Sequence, residues 1–561
     1  MSSAVRHPSL RPILKRTWHL LKHPTDRRRY LEVWADLIRT RHMLGRWAAQ
    51  GAESADPNQL CAILSFTNLP LHAKFHCLIA KTMQRRGYTP VIFTYRGNRF
   101  GHEYFRLFGF DRLLVWEDYL ESLYFDEAEI DRIARALLPP KPTIAGVLLV
   151  RYHGVAVGKH ALSVTARRLI EGRPDLDNPR TQSLFQGLLR DSIRGVLAAE
   201  RFLRKTPVKK MLVRDSGYIP NGPIFETALE KGVDCVVYEQ GQRRGTWIFK
   251  RYTAESKGQH YFSLSASTWE RIQTQPWTSA DDQRLDAEFA GRYTPHSTDD
   301  TRRLQSGKKI KTPDEVRAQL GLDPGKKTAV IFSHVAWDAA FFFGACLFED
   351  FENWLFQTVK FAAAECPHLN WIVKLHPFNA FKLQREGKTE ESEMRLLRSL
   401  MPLPPHIILM RADTDINTSA LFPLVDYVLT VNGTVGMEFP CFGVPAVLAG
   451  TGRYNGKGFT IEPPTVEAYF ETLRTLHTLP RLDEASQRKA RQHFYTLTAR
   501  RQTSLEDIAP MQLKRLNEAV SDIHDNITIK ARSLVEFDQA QSLRRFGEWF
   551  DTSTDPDLLE P

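Results

Sequence analysis

Short apolar runs alternate with longer helical patterns through the first half of the chain. A strand-like run at 60–66 is followed by a helical stretch over 71–86 and by a second strand-like run at 90–95. This order predicts a βαβ unit and therefore a parallel sheet. Further strands are predicted at 112–116, 145–150, 211–214 and 235–238, with a helix at 223–231 between the last two.

A second series of strands and helices begins after a polar stretch. Thr312, Pro313 and Glu315 form the pattern of a helix N-terminus, with a capping threonine, a proline in the first helical position and a capping-box glutamate. The order of the segments that follow predicts a second parallel sheet. Its strands are predicted at 328–333, 371–375, 406–410, 427–431 and 446–448, and its helices at 351–364, 390–400 and 433–442.

These patterns predict an α/β fold with two doubly wound, Rossmann-like domains that face a cleft. In such domains ligands bind beyond the carboxyl ends of the strands, so candidate functional residues are sought there. The predicted segments are 1–58, a basic helical arm; 59–272, the N-terminal domain; 273–311, a linker with one helix near 281–289; 312–470, the C-terminal domain; and 471–561, a helical extension whose residues 552–561 form a frayed tail.

The net charge of +11 is concentrated at the N-terminus, where residues 1–50 hold eleven Lys/Arg against three Asp/Glu. Trp18, Trp34 and Trp47 are interleaved with these charges. A basic helical segment with tryptophan is typical of a helix that lies on an anionic membrane surface. The alternative is a solvated arm that packs on the body of the protein. Nucleic-acid binding is not predicted, because no recognised motif accompanies the charge.

The rest of the composition is that of a cytoplasmic globular protein, peripheral on the inner membrane if the basic arm binds lipid. No apolar stretch reaches the roughly 18 residues that span a bilayer, and the N-terminus lacks the pattern of a secretory signal. The six cysteines form no CxxC pair, which favours reduced thiols.

The strongest chemical signal follows the predicted strand 427–431. Asn432, Gly433 and Thr434 open a predicted helix there, and free amides at such a position bind phosphate. Glu438 lies one turn further on the same face, where a carboxylate suits the two hydroxyls of a ribose. The alternative is a capped, buried helix with a surface glutamate.

Other polar residues follow neighbouring strands of the same domain. Lys374 and His376 close the strand 371–375 and are candidates for a nucleotide phosphate. His334 and Asp338 lie after the first strand of the domain, in the loop nearest the crevice, and are candidate catalytic residues. Tyr454, in a glycine-rich loop, is a further candidate for the donor site.

The first domain offers a candidate catalytic carboxylate at the end of strand 211–214. Asp215 is placed to act as general base for an acceptor hydroxyl, although aspartate also commonly caps a turn before a helix. Tyr218, Gln240 and Arg243 follow this strand and the next one, and are candidates for acceptor binding.

The segments VKLHP and TVNGTVGMEFPCFGVPAV, with the following Gly–Tyr–Gly loop, resemble the bacterial capsule polysaccharide biosynthesis family. This family includes GT-B glycosyltransferases, among them β-Kdo transferases that use CMP-Kdo. The resemblance is specific over about 370–460. It implies a GT-B-like fold and a metal-independent transfer without a cofactor, in which His376, Thr434 and Glu438 serve the donor. Asn-Gly-Thr stands here where many relatives carry Asn-Ser-Thr, and CMP-Kdo is one candidate donor among several.

The predicted function is therefore transfer of a sugar from a nucleotide-sugar donor to a growing surface polysaccharide or a lipid-linked acceptor. Two alternatives stay open. One is a different enzyme on the same fold, either a CDP-polyol phosphotransferase or a nucleotide-sugar epimerase. The other is a non-catalytic scaffold at a membrane surface, which only the basic arm favours.

Overall fold

The structure is a computed structural model, and it describes most of the 561 residues. The described ranges are 24–51, 55–121, 127–294, 304–305, 307–337, 341–378, 392–512 and 526–561.

The first sheet is doubly wound. Five parallel strands stand in the order β3-β2-β1-β4-β5, and β6 pairs with β5 in the antiparallel direction. The strands are β1 Asp56–Ser65, β2 Tyr88–Thr94, β3 Leu113–Val115, β4 Lys210–Arg214, β5 Asp234–Gln240 and β6 Thr246–Tyr252. Apolar side chains cover both faces of this sheet, as expected for parallel strands between helices.

The second sheet has five parallel strands in the order β9-β8-β7-β10-β11, which repeats the order of the first sheet. The strands are β7 Thr328–Phe332, β8 Asn370–Lys374, β9 Ile407–Met410, β10 Tyr427–Thr430 and β11 Ala446–Leu448. Two doubly wound domains in tandem confirm the predicted GT-B-like α/β class.

The helices surround these sheets and continue into the extensions at both ends. They are α1 Pro24–Leu44, α2 Pro70–Arg85, α3 Arg99–Leu107, α4 Trp116–Glu121, α5 Glu127–Leu137, α6 Ile144–Leu148, α7 Val157–Leu169, α8 Pro179–Lys205, α9 Asn221–Glu230, α10 Ala266–Gln273, α11 Ser279–Tyr293, α12 Pro313–Leu320, α13 Phe351–Glu365, α14 Ser392–Leu397, α15 Val435–Glu438, α16 Val466–Thr475, α17 Glu484–Tyr495, α18 Leu534–Gln539 and α19 Gln541–Thr552. Among those in the described part of the chain, none combines the length and apolar content needed to cross a bilayer.

The strand order of each sheet fixes where a ligand is expected. The order reverses between β1 and β4 in the first sheet and between β7 and β10 in the second, and doubly wound domains bind ligands in the crevice at that point. In the second domain this crevice lies between the loop that contains His334 and the turn at 431–434.

The structure differs from the predicted elements in three places. Residues 145–150 do not form a strand: the Thr143 side chain accepts from the Gly146 amide and caps α6. The β6 strand escaped prediction because it has buried side chains on both faces and no period-two pattern. The helix expected over 433–442 is shorter, since α15 passes at Glu438 into a 3₁₀ turn that contains Pro440, which has no amide to donate.

The predicted frayed tail is also wrong. Asp557 is 1% exposed, and its carboxylate lies 3.0 Å from the Lys250 ammonium and 3.4 Å from the Arg501 guanidinium. We call Lys250, Arg501 and Asp557 the tail clamp. Two-residue strand β12, Thr503–Ser504, pairs with β6 and extends the first sheet, while β13 Met511–Gln512 and β14 Asn526–Ile527 form a separate pair. The chain end is therefore part of the first domain's packing.

A buried polar group fixes α1 to the same domain. Asp36 forms an ion pair with Lys74 at 2.9 Å, accepts a hydrogen bond from the Tyr104 hydroxyl and accepts another from Asn526 at 2.9 Å. The second half of the basic arm thus packs on the body, and residues 1–23 lie outside the described part.

Candidate functional site

The turn after β10 is held by a histidine from the loop after β7. The Val431 amide donates to His334 Nε2 at 3.0 Å, and Thr430 Oγ1 lies 3.0 Å from the same nitrogen. The Gly433 amide in turn donates to Thr430 Oγ1 at 3.1 Å. Burial, with a smaller contribution from Arg453, lowers the pKa of His334 to about 3, so the ring is neutral at physiological pH. This geometry favours a positioning role for His334 over the expected catalytic one.

Because Thr430 accepts from the Gly433 amide, the amides that remain in this turn are those of Asn432, Thr434 and Val435. None of the three donates a hydrogen bond to a group in the residues that the structure describes. The helix that follows has only four residues, so its dipole is small and the amides act mainly as individual donors. An anion bound here therefore needs a further positive charge.

A positive charge does lie beside this turn, on a residue that sequence reasoning missed. The Arg292 guanidinium, at the end of α11, lies 2.9 Å from Glu438 and 3.4 Å from the Thr434 hydroxyl. It also donates to Gln242 Oε1 at 3.1 Å. Arg292 therefore connects the first domain to the turn 432–434 of the second domain. Arg292 belongs to the predicted linker, where sequence position gives no sign that it would reach a strand end.

Glu438 does not occupy the open position that was expected for it. It is 1% exposed, and its second oxygen accepts a hydrogen bond from the Tyr293 hydroxyl. Helix α11 covers this face of α15, which is why the carboxylate is buried. The contacts of Glu438 favour a role in holding Arg292 over direct contact with a ribose.

Tyr454 is likewise buried beneath the turn. Its hydroxyl donates to the Gly433 carbonyl at 2.5 Å, and Gly436 is required because a Cβ there would lie 2.0 Å from that hydroxyl. Asn432 is partly exposed and packs against Gly452 of the same loop. The glycine-rich loop thus supports the turn from below while 432–434 stay partly exposed.

Two buried lysines lie near each other at the carboxyl end of β8. Lys374 ends β8 and is buried; burial and the charge of Lys308 lower the pKa of its ammonium to about 7. Lys308 is 8% exposed, and its Nζ makes no hydrogen bond within the described residues. We call Lys308 and Lys374 the lysine pair. Sequence reasoning found Lys374 but not Lys308, which lies in the polar linker.

His376 lies two residues beyond β8. Its Nδ1 accepts from the Phe378 amide at 3.2 Å, which leaves Nε2 as the N–H donor of the neutral ring. Since β8 and β10 flank β7, His376 and the turn 432–434 lie on one sheet edge, about 10 Å apart by strand spacing.

A carboxylate pair occupies the corresponding edge of the first domain. Asp215 has a left-handed backbone, with φ of 55°, and its amide donates to Glu239 Oε1 at 2.9 Å. Its own carboxylate is about half exposed and lies 3.7 Å from Arg167. Burial raises the pKa of Glu239 to about 7, against the lowering effect of Arg214 and with the Asp215 charge adding to the rise. Glu239 was not among the sequence candidates, because it precedes the end of its strand.

Aromatic contact joins the two domains beside Asp215. The ring of Phe342, from the loop between β7 and α13, packs edge-on against Tyr218 with centroids 5.2 Å apart. On the Tyr218 ring, the Arg167 guanidinium lies 4.4 Å from the centroid. A Cβ on Gly217 would stand 2.5 Å from Phe342, so the close approach of the domains requires glycine there.

The remaining acceptor candidates lie on the loop after β5. Arg243 forms an ion pair with Glu288 of α11 at 3.2 Å, and the amides of Gln242 and Arg243 donate to Gln502. Gln240 ends the strand opposite Trp247. The C-terminal extension and the linker helix therefore hold this loop, and the Arg243 side chain is already paired with Glu288. Asp338 lies outside the described residues.

In the described part of the chain, no group of three or more His, Cys, Asp or Glu side chains is arranged to hold a metal ion.

Comparison with solved structures finds similarity of fold. KpsC of Thermosulfurimonas dismutans, a β-Kdo 2,4 transferase, is 13% identical with a TM-score of 0.31, over 51% of this chain and 80% of that one. The β-Kdo 2,7 transferase KpsC of the same organism is 15% identical with a TM-score of 0.31, over 61% and 88%. A UDP-GlcNAc 2-epimerase from Neisseria meningitidis, bound to UDP-GlcNAc, is 11% identical with a TM-score of 0.25, over 78% and 95%.

No protein-family model matches the chain, and no curated protein matches it. The predicted resemblance to the capsule polysaccharide family is confirmed as a similarity of fold. Because the TM-scores of these three structures are 0.31 or lower, donor, acceptor and reaction are inferred from the residues of this chain alone.

Proposed function

We propose that this protein is a GT-B-type glycosyltransferase that takes a sugar from a nucleotide-sugar donor and adds it to a surface polysaccharide or a lipid-linked acceptor. The observation that carries the proposal is the set of donor groups at the carboxyl ends of the second sheet. The turn 432–434 and Arg292 lie where the strand order reverses, and the buried Lys374 ends the neighbouring strand β8.

The donor phosphates are proposed to contact the Thr434 and Val435 amides and the Arg292 guanidinium. Arg292 already touches the Thr434 hydroxyl and presents a planar set of donors, which suits phosphate oxygens. His376 Nε2–H and the lysine pair lie further along the same edge and can bind the rest of the nucleotide. His334 and Tyr454 act by holding the turn in place.

Asp215 is proposed as the base that removes the proton from the acceptor hydroxyl. Its half-exposed carboxylate lies beside the contact between the domains, and Glu239 fixes its backbone through the amide hydrogen bond. Glu239, whose pKa is near 7, is a positioning residue in this scheme. A general base contributes about 10²–10⁴-fold to rate, so Asp215→Asn should reduce turnover by that factor and leave nucleotide affinity unchanged.

Two measurements test the proposal. Thermal unfolding with CMP, UDP, CDP and GDP identifies the nucleotide, since a ligand at about 100 times its Kd adds roughly 2.7 kcal/mol. The matching nucleotide sugar is then incubated with and without candidate acceptors. Stable donor without acceptor and sugar transfer with acceptor support the proposal, whereas epimerisation of the donor alone assigns the chain to the epimerase alternative. No stabilisation by any nucleotide favours a non-catalytic scaffold.

A further inference from the structure

Exposed large apolar side chains are concentrated on one helix at the N-terminal side of the molecule. The described residues hold eight such side chains, and four of them lie within a stretch of thirteen residues in α1. They are Leu31, Trp34, Ile38 and Met43 on α1, and Leu149, Ile310, Met401 and Val535 elsewhere. Single exposed apolar residues are ordinary, but a group of four on one helix marks an interaction surface.

Three of these residues share one side of the helix. Leu31, Trp34 and Ile38 follow the i, i+3, i+7 spacing and are 60%, 40% and 64% exposed. The inward side is fixed separately, by burial of Val33, Leu37 and Leu44. The helix is therefore held on the first domain with Leu31 and Ile38 turned away from the core, while the 40% exposed ring of Trp34 also contacts Phe100 of α3.

Along positions 31–46 the exposed charge has one sign, and on the neighbouring helix α3 the partly exposed Glu103 is paired with Arg106. Arg39, Arg41 and Arg46 are exposed, whereas none of the exposed positions between 31 and 46 carries an acidic side chain. The two acidic residues of this stretch are Glu32, which is partly buried, and Asp36, which is buried and paired with Lys74. A second copy of the same positive surface would repel it, while an anionic surface would be attracted.

We propose that this face of α1, with the turn that follows it, binds the surface of an anionic lipid bilayer, with Leu31, Trp34 and Ile38 entering the headgroup region and Arg39, Arg41 and, in the turn, Arg46 contacting lipid phosphates. An apolar stripe flanked by arginine is the pattern of a helix that lies in the membrane plane. The inference goes beyond the proposed function, because binding to lipid requires neither donor nor acceptor.

The test is co-sedimentation of the full chain with vesicles of phosphatidylglycerol and phosphatidylcholine, and with vesicles of phosphatidylcholine alone. The apolar variant Leu31→Ser/Trp34→Ser/Ile38→Ser should lose at least tenfold in partitioning. The charge variant Arg39→Gln/Arg41→Gln/Arg46→Gln should lose on the order of a hundredfold at low salt. The matched control Leu149→Ser/Val535→Ser should bind as the unaltered protein does, and unchanged Tm values confirm that each variant folds.

Binding to phosphatidylglycerol vesicles that high salt weakens, and that both α1 variants lose, supports the proposal. Equal binding by the apolar variant and the unaltered protein overturns it, as does failure of the unaltered protein to bind anionic vesicles at low salt. Concentration-dependent self-association that the apolar variant abolishes, without vesicle binding, would assign the face to a second copy and also overturn it.

Discussion

Two groups of buried charged side chains, one in each domain, differ in how their charge is balanced. In the tail clamp both cations lie near the Asp557 carboxylate, and Lys250 and Arg501 also donate to backbone carbonyls. In the lysine pair, burial lowers the pKa of both ammonium groups and the charge of Lys308 lowers that of Lys374 further, and neither has a carboxylate partner among the described residues.

The difference separates a structural group from a binding group. Burying a charge is costly unless an opposite charge and hydrogen bonds accompany it. The tail clamp meets this condition within the protein, and it joins the chain end to the first sheet. The lysine pair has no such opposite charge among the described residues, and it lies at the edge where the donor is proposed to bind. An anion from outside the protein would supply the missing balance.

Removing the carboxylate of the tail clamp should change the stability of the protein more than any other substitution considered below. Asp557→Ala leaves two buried cations without their carboxylate and should lower the free energy of unfolding by about 3–5 kcal/mol. Urea denaturation measures this change. Asp555→Ala is the matched control: among the described residues the Asp555 side chain makes only an exposed ion pair with Arg271, and its loss should cost at most about 1 kcal/mol. Equal effects of the two substitutions would show that the clamp contributes no more than a surface ion pair.

The next effect is on nucleotide affinity. Lys374→Met removes one buried ammonium from the lysine pair and should weaken nucleotide binding by about 1.5–3 kcal/mol, the usual contribution of a charged hydrogen bond. Isothermal titration with the nucleotide found by thermal unfolding measures it. Lys360→Met, at an exposed position of α13, is the control and should leave the Kd unchanged. An unchanged Kd for Lys374→Met would remove the lysine pair from the donor site.

Nucleotide affinity should also depend on pH through the titration of Lys374. The pKa of Lys374 is about 7 in the free protein, and a bound anion raises it, so nucleotide binding takes up a proton above pH 7. The Kd should therefore rise as pH increases from 7 to 9, by at most about tenfold per unit. Lys374→Arg stays protonated and should flatten this profile. A profile equally steep in both proteins would mean that another group titrates.

The smallest effect is a gain in stability. Lys308→Met removes an unpaired buried ammonium and should raise the free energy of unfolding by about 1 kcal/mol near neutral pH. Because burial lowers the folded-state pKa of Lys308, its cost is greatest at low pH and fades as pH rises toward 10.5, and the gain should fade likewise. Lys309→Met, at an exposed position, is the control. A loss of stability in Lys308→Met would mean that the ammonium is balanced within the protein.

Sequence reasoning found the parts of the fold and site that depend on local pattern. The apolar runs located most strands of both sheets, and the structure bears out the capping box at Thr312 and Glu315. Because strand ends follow from the same runs, His376 and the turn 432–434 could be placed at one sheet edge.

Features that depend on distant segments could not be found in this way. Arg292 and Lys308 lie in a polar linker whose pattern gives no direction, yet both reach the second domain. The burial of Glu438 depends on α11 crossing α15, and Asp557 is buried because the chain end returns to Lys250. Each of these contacts joins segments at least 66 residues apart, where periodicity carries no information.

The nucleotide is proposed to bind at the edge of the second sheet, and hydrogen–deuterium exchange can locate it in the unaltered protein. With saturating nucleotide, amide exchange should slow in peptides covering 374–378 and 430–438. Exchange in the peptide covering 215–222 of the first domain should change little without an acceptor. Protection confined to 215–222, with 374–378 and 430–438 unchanged, would place the nucleotide in the first domain and rule out the proposed site.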